Sequence, residues 1–364
     1  MGTIRRAGFC AALRMLAVLA LVCTSVLSAR ADAFESVLAP YENAEWPHYL
    51  DGLSLPAGKA YVVLILLPSA YPIDFSDAEA ARRSLMRNVR APMSAAAAKT
   101  LIGHSMVAWQ CAGRRGLISK TGESKGQATR MILSGGWGIT PFLSVFDDGV
   151  LLTLDDVPGR YERLIADGRA TILAVQVNEA SCRSMRKYLA RYIAHPRRPE
   201  SRFGLLLDSG RFEGDGCASF ALNVIGEAGL FSGIDRRFRR RLEIYDGALG
   251  RRTLIPEGVE PFVSARNGEE EKIVSYSAFR SGPWTGGKLH GVVEFIDPEL
   301  LYSALVALRM RAGEAAASYR ARRALSAGDP VVMRVRTDAV NWAERRFATM
   351  RFAGAKRSAL VLER

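Results

Sequence analysis

Histidine and cysteine are the scarce residues of this chain, four and five among 364. Cys10 and Cys23 lie in an N-terminal apolar run, which leaves Cys111, Cys182 and Cys217 for the rest. Three thiols do not make a disulfide-rich scaffold. Neither they nor the histidines stand at zinc-ligand spacing, so no metal and no cofactor is expected. An odd number of cysteines leaves at least one free thiol or an intermolecular bridge, and a single bridge has three possible pairings. Only Cys111–Cys182 leaves Cys217 free. A second long apolar run is also missing, as are internal repeats and low-complexity tracts. Gly135–Gly138 (GGWG) lacks the lysine and following helix of a phosphate loop. The aspartates at 147–148 and 155–156 read as turn residues, because no calcium loop follows them.

What is present begins with a targeting signal. Arg5 and Arg6 precede FCAALRMLAVLALVCTSVLS, and Ala31-Asp32-Ala33 places small residues where a signal peptidase reads them. Residues 1–33 therefore read as a secretory signal peptide cleaved before Phe34, with export to the periplasm or outside the cell. The alternative is an uncleaved anchor, for which the run is short. Losing Arg5, Arg6, Arg14, Arg30 and Asp32 takes the formal net charge from +13 to +10. A basic exported protein suits anionic surroundings such as lipid headgroups or wall polymers, and nucleic acid is not an expected partner.

Along the chain the pattern is mixed. Lys59–Ser69 (KAYVVLILLPS) is an apolar, β-branched strand. Ser76–Val89 is helical, with Ser76 and Glu79 as a capping box. A strand from about Ser105 to Cys111 turns at Ala112–Arg115 into a return strand. Ala170–Val177 is a further strand, and Asn178–His195 is a helix with Cys182, Met185, Leu189, Tyr192 and Ile193 on one face. Strands and helices do not alternate strictly, so the fold class is α+β. The organisation reads as a lead-in at 34–95, a core at 96–232 and a basic α/β region at 233–364. In that last region EKIVSYSAF and LHGVVEFID read as strands, and PELLYSALVALRMRAG as helix. At helical spacing Arg236, Arg237, Arg240 and Arg241 would share one face, a candidate contact for an anionic surface.

Cys217 follows Gly214-Asp215-Gly216 and opens a helix packed through Ala221, Val224, Ile225 and Ala228. A helix N-terminus lowers a thiol pKa, so Cys217 is the candidate nucleophile. The alternative is a small core residue that happens to start a helix. His104, at the mouth of a strand, is the candidate base. With a turn at 112–115, Cys111 faces Gly116, and His104 lies opposite Glu123, placed to orient the imidazole. A slip or bulge would substitute Thr121 or Ser124.

Gly103-His104 followed by GCASFALNVI at Gly216–Ile225, histidine first and cysteine last, resembles the circularly permuted branch of papain-like cysteine hydrolases. That branch includes lecithin:retinol acyltransferase-like proteins and bacterial envelope domains, and reverses the order of NlpC-type peptidases. The resemblance spans about residues 60–232. It implies a papain-like permuted core and a Cys217–His104 dyad attacking an acyl or amide carbonyl, with Cys217 or Ala218 N–H receiving the oxyanion. The products would be those of a hydrolase or an acyltransferase working on a cell-wall or lipid-derived substrate. The lecithin:retinol acyltransferase-like proteins more often carry a second histidine in the third role, where this chain offers Glu123. Two other readings stand beside it: Cys217 paired with His290, and a non-catalytic envelope protein that keeps a hydrolase-like scaffold and a basic surface.

Overall fold

The computed structural model describes residues 34–47, 50, 55–69, 71–90, 102–122, 126–156, 161–162, 165, 170–230, 238–311, 351–356 and 359–363. The signal segment, Glu123, Arg236 and Arg237 lie outside them. The chain divides into a short unit, Met1–Pro40, whose described part is helical turn, and a second unit, Tyr41–Arg364. Among the described residues no helix is long and apolar enough to cross a membrane.

The elements of the second unit are β1 (Glu42–Asn43), β2 (Ala60–Leu67), α1 (Ala78–Val89), β3 (His104–Cys111), β4 (Arg114–Thr121), α2 (Gln127–Leu133), α3 (Thr140–Leu143), β5 (Val145–Phe146), β6 (Val150–Leu152), β7 (Thr171–Val177), α4 (Glu179–Ile193), α5 (Cys217–Glu227), β8 (Arg239–Tyr245), β9 (Val259–Glu260), α6 (Tyr276–Ser281), β10 (Leu289–Ile296), α7 (Pro298–Arg311), β11 (Arg351–Lys356) and β12 (Ala359–Glu363). The fold is mixed α+β. Its main sheet runs β1-β4-β3-β2-β7-β12-β11, with β6 also on β4. All its pairings are antiparallel except β7 with β12.

β2 is buried along its whole length because both faces of the sheet are covered. One face carries Tyr61, Val63, Ile65, Met106, Ala108, Leu117 and Ile172, packed under Leu50, Leu154, Tyr161 and Ile165. The other faces α4 and α5. There Cys111 of β3 is bridged to Cys182 of α4, with Cα atoms 6.1 Å apart, and this is the pairing that leaves Cys217 free. A second core gathers α1, the β8–β10 ribbon, Phe279 and Trp284. The sheet thus takes β2 from the lead-in, and the second core joins residues from all three sequence regions.

Three local expectations are corrected. α1 is capped by Asp77, not Ser76: the Asp77 carboxylate accepts the Ala80 N–H at 2.7 Å. Tyr276–Ser281 is helical where a strand was expected, because Ser275 caps it through the Ala278 N–H. Within the arginine run, Arg239–Arg241 are strand rather than helix. Leu242 and Ile244 alternate inward against β10, so Arg240 and Arg241 project to opposite faces. Arg240 turns in to Asp297 at 3.2 Å, and exposed Arg241 pairs with Glu294 at 3.2 Å.

Candidate active site

Cys217 is the first residue of α5. Its N-cap, Gly216, has no side chain to offer, and the Ser219 hydroxyl accepts the Gly216 N–H at 3.2 Å instead. Phe220, Ala221, Val224 and Ile225 are buried and hold the helix against the sheet, which fixes the thiol. Cys217 is 7 % exposed. Burial pushes the Cys217 thiol up to about 11, against the pull of the Ser105 and Ala218 backbone N–H groups directed at it; the Asp215 carboxylate adds to the rise. The lowered pKa expected of a helix terminus is therefore not what this site shows, because desolvation of the sulfur outweighs the helix dipole.

Cys217 and Ala218 form part of the wall of a cavity of about 400 Å³. The rest is mainly apolar: Phe142, Phe146, Tyr161, Phe203, Leu205 and Ile296 line it, and the ends of β3 and β4 contribute Gly103, Thr121 and Gly122. A Cβ on Gly122 would fall 2.0 Å from the Phe203 ring, so the glycine lets that wall close against the sheet. An apolar cavity with a few polar groups at one end is the usual form of a small-molecule site.

No family model, curated protein or solved structure matches this chain.

The hairpin register differs from the expected one. The turn is the two-residue Ala112-Gly113, with φ of 48° and 77°, so Cys111 pairs with Arg114 and Met106 with Ser119. This is a tight hairpin turn with both central residues at positive φ. Extending the register sets His104 level with Thr121 rather than Glu123. His104 lies across from Leu67, stacks on Tyr161 with ring centroids 4.6 Å apart, and its Nε2 is 2.6 Å from Ser119 Oγ. Ser119 Oγ in turn donates to the Ser105 carbonyl at 3.0 Å. Its single proton thus committed, it accepts from His104 Nε2–H. The next residue, Ser105, faces the helix layer, and its N–H reaches the Cys217 sulfur. One strand therefore sends His104 into one layer and meets the thiol from the other.

Sequence reasoning missed Ser119. A two-residue turn at Ala112-Gly113 would have placed it beside the histidine. His290 sits in β10 with Nδ1 3.2 Å from Asp246 Oδ1, six residues along the strand from cavity-lining Ile296, or ~20 Å at strand rise. That spacing sets the Cys217–His290 pairing aside.

Proposed function

We propose that this protein is an exported thiol hydrolase or acyltransferase of the permuted papain-like kind, with Cys217 as nucleophile. One observation carries the reading: a free thiol at the first residue of a packed helix forms the wall of an apolar cavity, with the Ser105 and Ala218 N–H groups directed at its sulfur. The apolar lining favours a lipid-derived acyl group over a charged wall peptide. In this reading the sulfur passes its proton to His104 and bonds the acyl carbon. The carbonyl electrons move onto oxygen, where Ala218 N–H stabilises them. Collapse expels the alcohol or amine with the proton from His104, and water or another acceptor then takes the acyl group from the thioester. His104 is held here by Ser119 and Tyr161 on the opposite face of β3 from the sulfur, so the reading requires the start of β3 to turn the imidazole out of that seat when substrate enters. The Cys111–Cys182 bridge supports export to an oxidising compartment.

The test is acylation by activated esters of increasing chain length, read by intact mass and peptide mapping. The expected result is a thioester on Cys217, absent in Cys217→Ser and slowed roughly 10²- to 10⁴-fold in His104→Asn. No adduct with any ester would overturn the reading. The burial of the thiol and the seating of His104 against Tyr161 favour a second one, a non-catalytic envelope protein on a hydrolase-like scaffold. Its anionic partner would meet the exposed Arg241 and its neighbours. In that case Cys217 labels only as fast as the protein unfolds.

A further inference from the structure

Directly behind the cavity lies a cluster of titratable groups that the proposed chemistry does not use. Lys120, on the helix-facing side of β4, is fully buried. Its ammonium donates to the Pro199 carbonyl at 2.6 Å and the Glu200 carbonyl at 2.5 Å. It also stands 3.4 Å from Tyr192 Oη and 3.8 Å from Asp215 Oδ1. Tyr192 of α4 donates to Asp215 Oδ1 at 2.9 Å. Asp215 is likewise fully buried. Its backbone joins the neighbouring segment, Gly204 N–H to Asp215 O at 3.3 Å and Asp215 N–H to Arg202 O at 3.4 Å.

Those contacts lead to the cavity from two sides. Pro199 and Glu200 run directly into Phe203–Leu205, which form one wall, and Asp215 is two residues before the thiol that forms another. A single ammonium fastens both to β4, whose next residues, Thr121 and Gly122, also line the cavity. A buried charge of this kind is costly to desolvate and is held only because its partners are in place.

We propose that Lys120 and Asp215 are positioning residues for Cys217: the ammonium ties the cavity wall and the loop before α5 to β4, and the carboxylate sets the charge that the sulfur meets on ionising. The inference rests on the reading of Cys217 as the reacting group.

The charges around the pair are few. Tyr188 and Tyr192 of α4 are pushed well above the ordinary tyrosine range by burial, with Asp215 adding to it, and stay neutral. Glu200, Asp208 and Glu227 are the other carboxylates that face the cluster. His104 projects from the opposite face of β3. Burial pulls Lys120 down and pushes Asp215 up, and each is opposed by the other's charge. Asp215 acts against a thiolate at Cys217, and the Lys120 ammonium is the opposite charge that faces Asp215.

The experiment measures iodoacetamide alkylation of Cys217 in the folded full chain, as rate against pH from neutral to strongly alkaline, with the modified residue mapped by mass. Asp215→Asn keeps the shape and the Tyr192 bond and removes the charge. Its profile moves to lower pH, and the rate at neutral pH rises roughly three- to tenfold. Lys120→Met moves the profile the other way, and the double variant returns toward wild type. Asp215→Asn with an unmoved profile and only a lower melting temperature overturns the proposal. Both single variants moving in one direction overturns it too, since loosening rather than charge would then control the sulfur. An Asp215→Asn chain that does not fold also overturns it; a Lys120→Met chain that does not fold leaves Asp215→Asn to decide. Acylation by an activated ester is scored separately. Shifted profiles without a thioester sink the enzymatic reading and leave the charge coupling, and a thioester with unshifted profiles does the reverse.

Discussion

Arg186 reaches from α4 to Glu42 with two bonds of 2.7 Å, and Trp109 Nε1 adds a third at 2.7 Å. Both charged groups are almost wholly buried. Arg186→Met would leave the Glu42 carboxylate unpaired in that setting, at a cost of about 3–5 kcal/mol, measured as a lower urea midpoint. Asp297 shows the opposite balance. It accepts the Glu299 N–H at 2.8 Å and pairs with Arg240, yet burial pushes its carboxyl up to about 6. Folding therefore favours the protonated form. The contribution is complete below the unfolded pKa of about 4 and is lost as pH rises through the folded value. Relative to Asp297→Asn, wild type should lose about 2–3 kcal/mol between the two ends of that window, read from urea denaturation at each pH. Cys217 and His104 could be picked out from sequence because helix starts and strand mouths have local signatures. Lys120 with Asp215, and Glu42 with Arg186, could not: each residue reads as an ordinary surface charge until the fold brings the partners together.

The β3–β4 hairpin shows how one element sets the register of several side chains. Gly116 sits across from Trp109, and a Cβ there would lie 2.2 Å from the indole. Gly116→Ala should force the ring out of its seat, weaken the Glu42 bond, and cost at least about 2–3 kcal/mol. Near-ultraviolet circular dichroism of the tryptophans and a denaturation curve would both register it. Elements with an unbroken apolar signal, such as β2, β7 and α4, were legible from composition and period alone. β8 was not. Its flanking arginines hide the inward alternation of Leu242 and Ile244, and strand character emerges only from pairing with β10. The turn of the hairpin was misread by two residues because Ala112, with φ of 48°, is an unusual occupant of a position that favours glycine or asparagine.

At the scale of the whole molecule, the Cys111–Cys182 bridge closes a sequence separation of 71 residues. A loop of that length corresponds to about 4 kcal/mol of chain entropy removed from the unfolded state. Denaturation of Cys182→Ser should show a loss of that order, and adding reductant to it should change nothing further. The α+β class was readable from the unordered mixture of strand and helix signals. The boundary at 232 was drawn from a shift to basic composition, which reports charge density and not which strands share a sheet.

The pairing of β7 with β12 has a consequence in time. Val175 meets Leu362, so a strand buried near the middle of the sheet waits for a partner made much later. While the polypeptide is still emerging, one edge of β7 offers its amides and carbonyls to any passing strand. A chaperone that covers that edge, or a slow delivery that keeps molecules apart, would be needed during this interval. A chain cut after residue 350 would never leave it, and should accumulate as soluble oligomers or aggregate on size exclusion, where the full chain elutes as a discrete species.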